Sequence, residues 1–427
     1  MTLVPFPDQQ ILAEEIHSRP QPELETPAAV SHLVVLADDA ATDRSREALA
    51  ALCRRYGAPP PHNERYYAVK LGLFSARWEQ HTEFFRLTFS RPLEPGTRPF
   101  SVGALDLVPS DWVQSLDGEL IAAADIVVLE RGRQLTLPEI DEAFEGHRVV
   151  ASRVMGGVSV VYTDFRLHAG EAARYLVTDL DLTPPRAGRL LQRLTDIEAY
   201  RMTALLGLPV ARAHSPRLRH IEDSLADLVA KIGGPRDLTA DRNVLDGLFS
   251  RAAEVERMVA ESSYRFGATQ AYGQLVADRL GELRGEREGT FQPLEEFLER
   301  RFEPALRTCQ SVAQRQEAVG ERIARTASLA RTRVDLELER QNQELLASMD
   351  KRAQLQLRLQ ETVEGLSVAA ISYYTVGLLS YFVKGAKGLG IEESTANLVL
   401  ALVTPIVVLL VWRGVQAMRR RVHSGVH

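Results

Sequence analysis

The sequence predicts an α+β protein: an N-terminal mixed α/β domain, a long α-helical stalk region and two C-terminal transmembrane helices. Three observations carry that expectation. Two uncharged runs, Gly365 to Val383 and Ser394 to Trp412, are each about 19 residues long and would make helices of about 28 Å, close to the hydrocarbon thickness of a bilayer. Before Pro184-Pro185 the apolar residues fall in short strand-like runs, and after it they recur at helical spacing. From Pro304 to Gly365 the one helix breaker is Gly320, so a single helix can run into the first span.

Val30 to Leu36 is a short apolar run ending at Asp38-Asp39 and reads as a strand. Arg44 to Tyr56 has helical spacing and stops at Gly57, before Pro59-Pro60-Pro61. Tyr66 to Phe74 and Thr82 to Phe89 are rich in aromatic and β-branched residues and read as strands, and the Pro-rich stretch Arg91 to Pro99 as a loop. Ile126 to Leu129, Arg148 to Val154 and Val158 to Tyr162 are further strands, with Gly156-Gly157 marking a hairpin between the last two. Strands separated mostly by turns favour a mixed or antiparallel sheet over a doubly wound one. Beyond Pro184-Pro185, helices are expected from Arg189 to Leu206, from Val244 to Leu283 and from Leu294 onward, with Pro209, Pro216 and Gly233-Gly234-Pro235 as punctuation. The expected boundaries are residues 1–185 for the α/β domain, 186–364 for the helical stalk, 365–383 and 394–412 for the spans, and 413–427 for a basic tail.

Charge gives orientation and exclusions. Arg413, Arg419, Arg420 and Arg421 follow the second span, and Lys351, Arg352 and Arg358 precede the first, which places both termini in the cytoplasm. Lys384, Lys387, Glu392 and Glu393 fall between the spans, in a polar hairpin loop that would face outward. Met1 to Pro20 lacks a basic segment followed by an apolar run, so no signal peptide is expected. Two distant cysteines, Cys53 and Cys309, fit a reducing compartment and offer no cysteine metal site. A net charge of −6 lacks the concentrated basic face of a nucleic-acid binder.

No catalytic signature is present: no phosphate-binding glycine loop, no His-Glu-x-x-His and no nucleophile elbow, so neither an enzyme nor a cofactor is expected. His81-Thr82-Glu83, read on a strand, would put its His and Glu on one face. Thr163 to His168 offers an Asp and a His, with Asp164 and Arg166 able to pair at a strand end. His17 and Arg19 suit the C-terminal dipole of an N-terminal helix. Toward the membrane, Asn342, Leu345, Met349, Arg352, Gln356, Leu359, Val363 and Leu366 follow heptad spacing, and Asn342, Arg352 and Gln356 interrupt the apolar seam. Either this face packs on its own domain, or Asn342, Arg352, Gln356 and Leu359 line the axis of an oligomeric stalk. In the first span Ser372, Thr375, Gly377 and Ser380, with Lys384 beyond it, either pack helix on helix or line a pore. The second span is more apolar, with Pro405 inside it.

The stretches Thr332 to Leu346 (TRVDLELERQNQELL) and Gln356 to Tyr374 (QLRLQETVEGLSVAAISYY) resemble a bacterial family of membrane-anchored proteins of unknown function. His81 to Phe84, Thr163 to Arg166, Gly188 to Arg193, Glu198 to Met202 and Tyr264 to Phe266 fit the same family, so the likeness covers nearly the whole chain. It implies a bacterial inner-membrane protein. The order of elements is also similar to CorA-type cation transporters, homopentamers whose first span lines the pore. Their Gly-Met-Asn element is absent: Phe382 to Gly390 stands in its place, with Lys384 and Lys387 where a cation would enter. The expected function is a homo-oligomeric ion channel or transporter of this type, a pentamer if the resemblance holds, with the bilayer and a cation as partners. The alternative is a non-transporting membrane-anchored sensor or scaffold whose α/β domain binds a ligand or partner.

Overall fold

The computed structural model describes residues 6, 9, 23–62, 64–232, 234, 237–385 and 393–423, with the backbone alone at 383, 393–396 and 418–423. His17, Arg19 and most of the expected loop between the two apolar runs lie outside the described residues.

Nine strands make one sheet among the described residues: β1 (Ala28–Leu36), β2 (Tyr66–Leu71), β3 (Phe74–Gln80), β4 (Phe84–Pro92), β5 (Glu119–Val128), β6 (Val150–Val154), β7 (Ser159–Leu167), β8 (Ala173–Asp179) and β9 (Glu286–Arg287). The order is β2-β3-β4-β1-β5-β8-β7-β6-β9. Only β5 and β8 pair in parallel, and the other neighbours are antiparallel. The turn-separated apolar runs thus give the mixed sheet they suggest. Gly156 and Gly157 turn the β6–β7 hairpin at φ 77° and 89°, where a side chain would be strained. The expected single strand from Tyr66 to Phe74 is instead the whole of β2, a tight turn and the first residue of β3, because Gly72 at φ 63° reverses the chain. His81 and Glu83 fall in the turn between β3 and β4, not on a strand, so the expected shared face does not exist.

The helices are α1 (Asp39–Arg55), α2 (Ser110–Gln114), α3 (Leu137–Ala143), α4 (Pro184–Leu205), α5 (Gly207–Ile232), α6 (Leu238–Leu283), α7 (Leu294–Arg301), α8 (Glu303–Gly385) and α9 (Glu393–His423). Local chemistry sets their starts. Asp38 accepts the Ala41 N–H at 2.7 Å to begin α1, a capping box of Thr136 and Glu139 begins α3, and Pro184 supplies the first turn of α4. Pro216 lies inside α5 without ending it.

The chain divides into two compact units: Met1–Gly233 with Val244–Ala327, and Gly234–Asn243 with Ser328–His427. In the first unit, one sheet face packs under α4, through Leu190, Leu191, Leu194 and Ile197, with Leu280 of α6 and Leu294 and Leu298 of α7 in the same apolar cluster. The expected boundary at 185 does coincide with the start of α4, yet α4 and the sheet share a core. The other sheet face carries two apolar clusters. One joins α1 to β1, β3 and β4 through Leu49, Leu52, Trp78, Phe85 and Leu87; the other joins α3 to β5–β8 through Ile140, Phe144, Val127, Val160 and Leu176. In the second unit, Arg333 holds the Asp241 carboxylate at 2.9 Å and the Gly234 carbonyl at 2.9 Å. Farther along α8, every residue from 341 to 363 is exposed.

Candidate functional site

Buried polar groups need partners, so their places on an apolar sheet mark where composition serves something besides packing. Two of these places in the first unit bring several charged groups together.

The first lies under α4. Arg86 of β4 is 2 % exposed and pairs with Glu79 of β3 and with Asp196 of α4, the latter at 2.5 Å. Asp196 also accepts from Arg279 of α6 at 2.8 Å and from Gln192 at 3.1 Å. Burial alone would raise the Glu79 carboxyl, but Arg86, with His81 and Arg77, outweighs it and holds the group well below the usual carboxylate range. Burial, followed by the Arg86 charge, pushes neighbouring His32 well down, and its Nδ1 lies 2.8 Å from Thr88 Oγ1. His81 stacks on Phe84 at 4.4 Å, and Glu83 holds Arg265 of α6 through both oxygens. The His81–Glu83 stretch therefore ties the β3–β4 turn to helices.

The second crosses the opposite face. Cross-strand register puts Ser31 of β1 beside Asp125 of β5, and Asp125 beside Arg174 of β8. Asp125 sits between Ala123 of one apolar cluster and Val127 of the other, so this polar row divides them. Ser31 donates to Asp125 at 2.7 Å. Burial raises the Asp125 carboxyl, against the Ser31 hydrogen bond and the Arg174 charge. Ser31, Asp125, Arg174, Asp106, Gly103 and Gly170 line a cavity of about 340 Å³.

From Arg174 the row continues without a break. Arg174 donates to Glu145 Oε1 at 3.0 Å, Glu145 Oε2 lies 3.4 Å from His168 Nδ1, and His168 Nε2 lies 3.0 Å from Asp164 Oδ2. That same oxygen lies 2.8 Å from His147 Nδ1. The side chains of Asp164 and His168 are fully buried, and that of His147 is 31 % exposed. Three departures from ordinary backbone aim these groups. Glu145 (φ 57°) and Gly146 (φ 76°) turn the chain sharply after α3 and deliver His147. A bulge in β7 between Thr163 and Leu167, with Phe165 at φ 54°, turns Asp164 inward, and its Oδ1 accepts the Arg166 N–H at 3.1 Å. Glu171 (φ 58°) closes the loop that holds His168. A left-handed non-glycine residue costs on the order of 1–3 kcal/mol, and such strain gathers at functional sites. Asp164 thus engages two histidines and its own turn, and the expected Asp164–Arg166 ion pair does not form: the Arg166 contact is through its backbone N–H.

The sequence reading singled out Asp164 and His168 but missed His147, Glu145, Arg174 and Asp125. An Asp inside the apolar run of β5 was the available signal.

The C-terminal candidates sit in the second unit. Asn342, Arg352, Gln356 and Leu359 are all exposed on α8. In the first span Ser372 is buried, Thr375, Gly377 and Ser380 are half-buried and Lys384 is exposed. The outward residues are instead Tyr373, Tyr374, Leu378, Tyr381 and Phe382. Thr375 donates to the Ile371 carbonyl at 2.7 Å and Ser380 to that of Gly377 at 2.7 Å, so these hydroxyls are satisfied within their own helix. The uncharged parts of α8 and α9 are long and apolar enough to cross a membrane.

A family model described as Protein of unknown function (DUF3422) matches residues 5–422. The chain belongs to that family. The sheet, both polar groups, α8 and all but the last residue of α9 fall inside the match, which therefore spans the whole architecture and not one module. No curated protein and no solved structure matches the chain. The likeness to CorA-type transporters is one of element order alone.

Proposed function

We propose that this member of the family is a homo-oligomeric anchor-and-sensor protein of the bacterial inner membrane. The two apolar helices hold it in the bilayer, both termini face the cytoplasm, and the α/β unit binds a ligand or partner on the cytoplasmic side. The reading assigns no reaction to the chain. The observation that carries it is the first span, where the hydroxyl side is the covered one and the aromatic and leucine side faces out. An anchor helix needs an apolar outer surface, and Thr375 and Ser380, bonded to their own backbone, need no water, while the Ser372 hydroxyl is buried without a hydrogen bond. The basic residues beyond the second span support the orientation. Alkaline carbonate extraction should leave the chain in the membrane, and protease added from the periplasmic side should leave the α/β unit intact. Release by carbonate, or digestion of that unit, contradicts the reading.

Ion transport is the second reading, favoured by one observation: Ser372, Thr375, Gly377 and Ser380 follow one another along the first span, with Lys384 exposed beyond them. Purified protein in liposomes should carry no ion flux above empty vesicles. A flux lost on replacing Thr375 and Ser380 with valine and alanine would reinstate the transport reading.

A further inference from the structure

We propose that His147, Asp164 and His168 form a binding site for a first-row transition-metal dication, with an open position on the His147 side. Their ligand atoms lie within 4.8 Å of one another. They come from three separate pieces of chain, the turn after α3, the β7 bulge and the loop before β8, and each is placed by a left-handed residue nearby.

Hydrogen bonding accounts for the cluster only if His168 is doubly protonated between the Asp164 and Glu145 carboxylates. Asp164 Oδ2 lies within reach of His147 Nδ1 and His168 Nε2, and as an acceptor it requires a proton on each of those nitrogens. In a neutral imidazole that leaves His168 Nδ1 as an acceptor. Yet Nδ1 is buried without a hydrogen bond, and what it faces is the Glu145 carboxylate at 3.4 Å, another acceptor. A metal on Nε2 resolves the conflict. The ring then carries its proton on Nδ1 and donates it to Glu145, the outer carboxylate that commonly orients a metal-bound histidine. Glu145 is itself fixed by Arg174 at 3.0 Å, and Asp164 Oδ1 is occupied by the Arg166 N–H, which leaves Oδ2 for the ion.

The donor set names the ion class. Two imidazole nitrogens and one carboxylate oxygen suit zinc, cobalt, nickel or ferrous iron, whereas magnesium and calcium take oxygen ligands. Donors around a tetrahedral ion at about 2.0 Å stand about 3.3 Å apart, so the contacts of 2.8 and 3.0 Å need to widen by a few tenths of an ångström and the two histidine nitrogens, which lie within 4.8 Å, to close toward each other. The partly exposed His147 can make that shift. Three protein ligands leave a fourth position for water or a small anionic ligand, as in sites that exchange ligands.

The test uses full-length protein in detergent, stripped with a chelator and titrated with Zn²⁺ and Co²⁺ by calorimetry and visible absorption, with Mg²⁺ as control. We expect one Zn²⁺ or Co²⁺ per chain, a visible cobalt spectrum of low-symmetry nitrogen–oxygen coordination, and no heat with Mg²⁺. H147A should lower the affinity at least 100-fold while circular dichroism stays unchanged, since His147 lies at the edge of the fold. E145Q should lower it about 10–100-fold without changing the stoichiometry. The proposal is overturned if neither ion binds, or if H147A and D164N, shown to be folded, bind with unchanged affinity.

Discussion

The first unit buries charges, and the second exposes leucines. Under α4, Arg86, Glu79 and Asp196 lie in the interior and are paired with one another. Along α8, ahead of the first apolar run, Leu345, Leu346, Met349, Leu355, Leu357, Leu359 and Val363 are each more than half exposed. The two anomalies have opposite resolutions. Buried ions are tolerable when partners come from the same chain, and here β3, β4, α4 and α6 supply them. Exposed leucines in a row favour apolar cover, and every residue from 341 to 363 is exposed. The first unit is complete by itself. The second leaves apolar surface exposed, and under the homo-oligomeric reading proposed above another copy of the same helix, in closed symmetry, would cover it.

The largest expected effect sharpens that contrast in the first unit. Arg86→Met would leave Glu79 and Asp196 buried without their main counter-charge and should cost about 3–5 kcal/mol in urea unfolding. Because the Glu79 carboxyl is depressed in the fold, its stabilisation is full above its unfolded value near 4.5 and is lost as pH falls toward the folded value. The wild-type protein should therefore lose stability steeply below about pH 4, and Arg86→Met should flatten that loss. A mutant as stable as wild type would mean that the ion cluster is not closed as described.

A paired comparison within α8 comes next. Ile323 is 2 % exposed and Leu345 is 61 % exposed. Ile323→Ala should cost the first unit about 2–5 kcal/mol, and Leu345→Ala should change its unfolding by no more than about 0.5 kcal/mol. Equal costs would show that the outer helix is covered within the chain. Cysteine at Gln356 or Leu359 should form disulfides between chains under mild oxidation, while a cysteine at an exposed control position stays monomeric. The smallest effect belongs to Thr375→Val: its hydroxyl bonds to Ile371, so membrane retention and oligomer size should not change. A loss of either would give Thr375 a role beyond its own helix.

Much of this was legible in the sequence because it depends on local pattern. The two apolar spans, the unbroken α8 and the β6–β7 hairpin follow from charge-free runs, missing prolines and paired glycines. Strand β8 was not legible, since Ala173 to Asp179 carries Arg174 and Asp179 and becomes a strand only between β5 and β7. The metal-binding cluster was half legible. Asp164 and His168 stand four residues apart, but His147 and Glu145 arrive through a left-handed turn that begins at a non-glycine residue, Glu145, which composition does not mark. The ion cluster under α4 needed the fold as well, because Glu79, Arg86, Asp196 and Arg279 meet across wide gaps in sequence.

The measurement that bears most directly on the contrast is the mass of the detergent-solubilised full-length protein, by light scattering with the detergent contribution subtracted. We expect a discrete species holding several copies, reduced to single chains when Leu345, Leu359 and Val363 are together replaced by serine, with the first unit's unfolding unchanged. A wild-type mass of one chain would contradict the account, and the exposed leucines of α8 would then require a different partner.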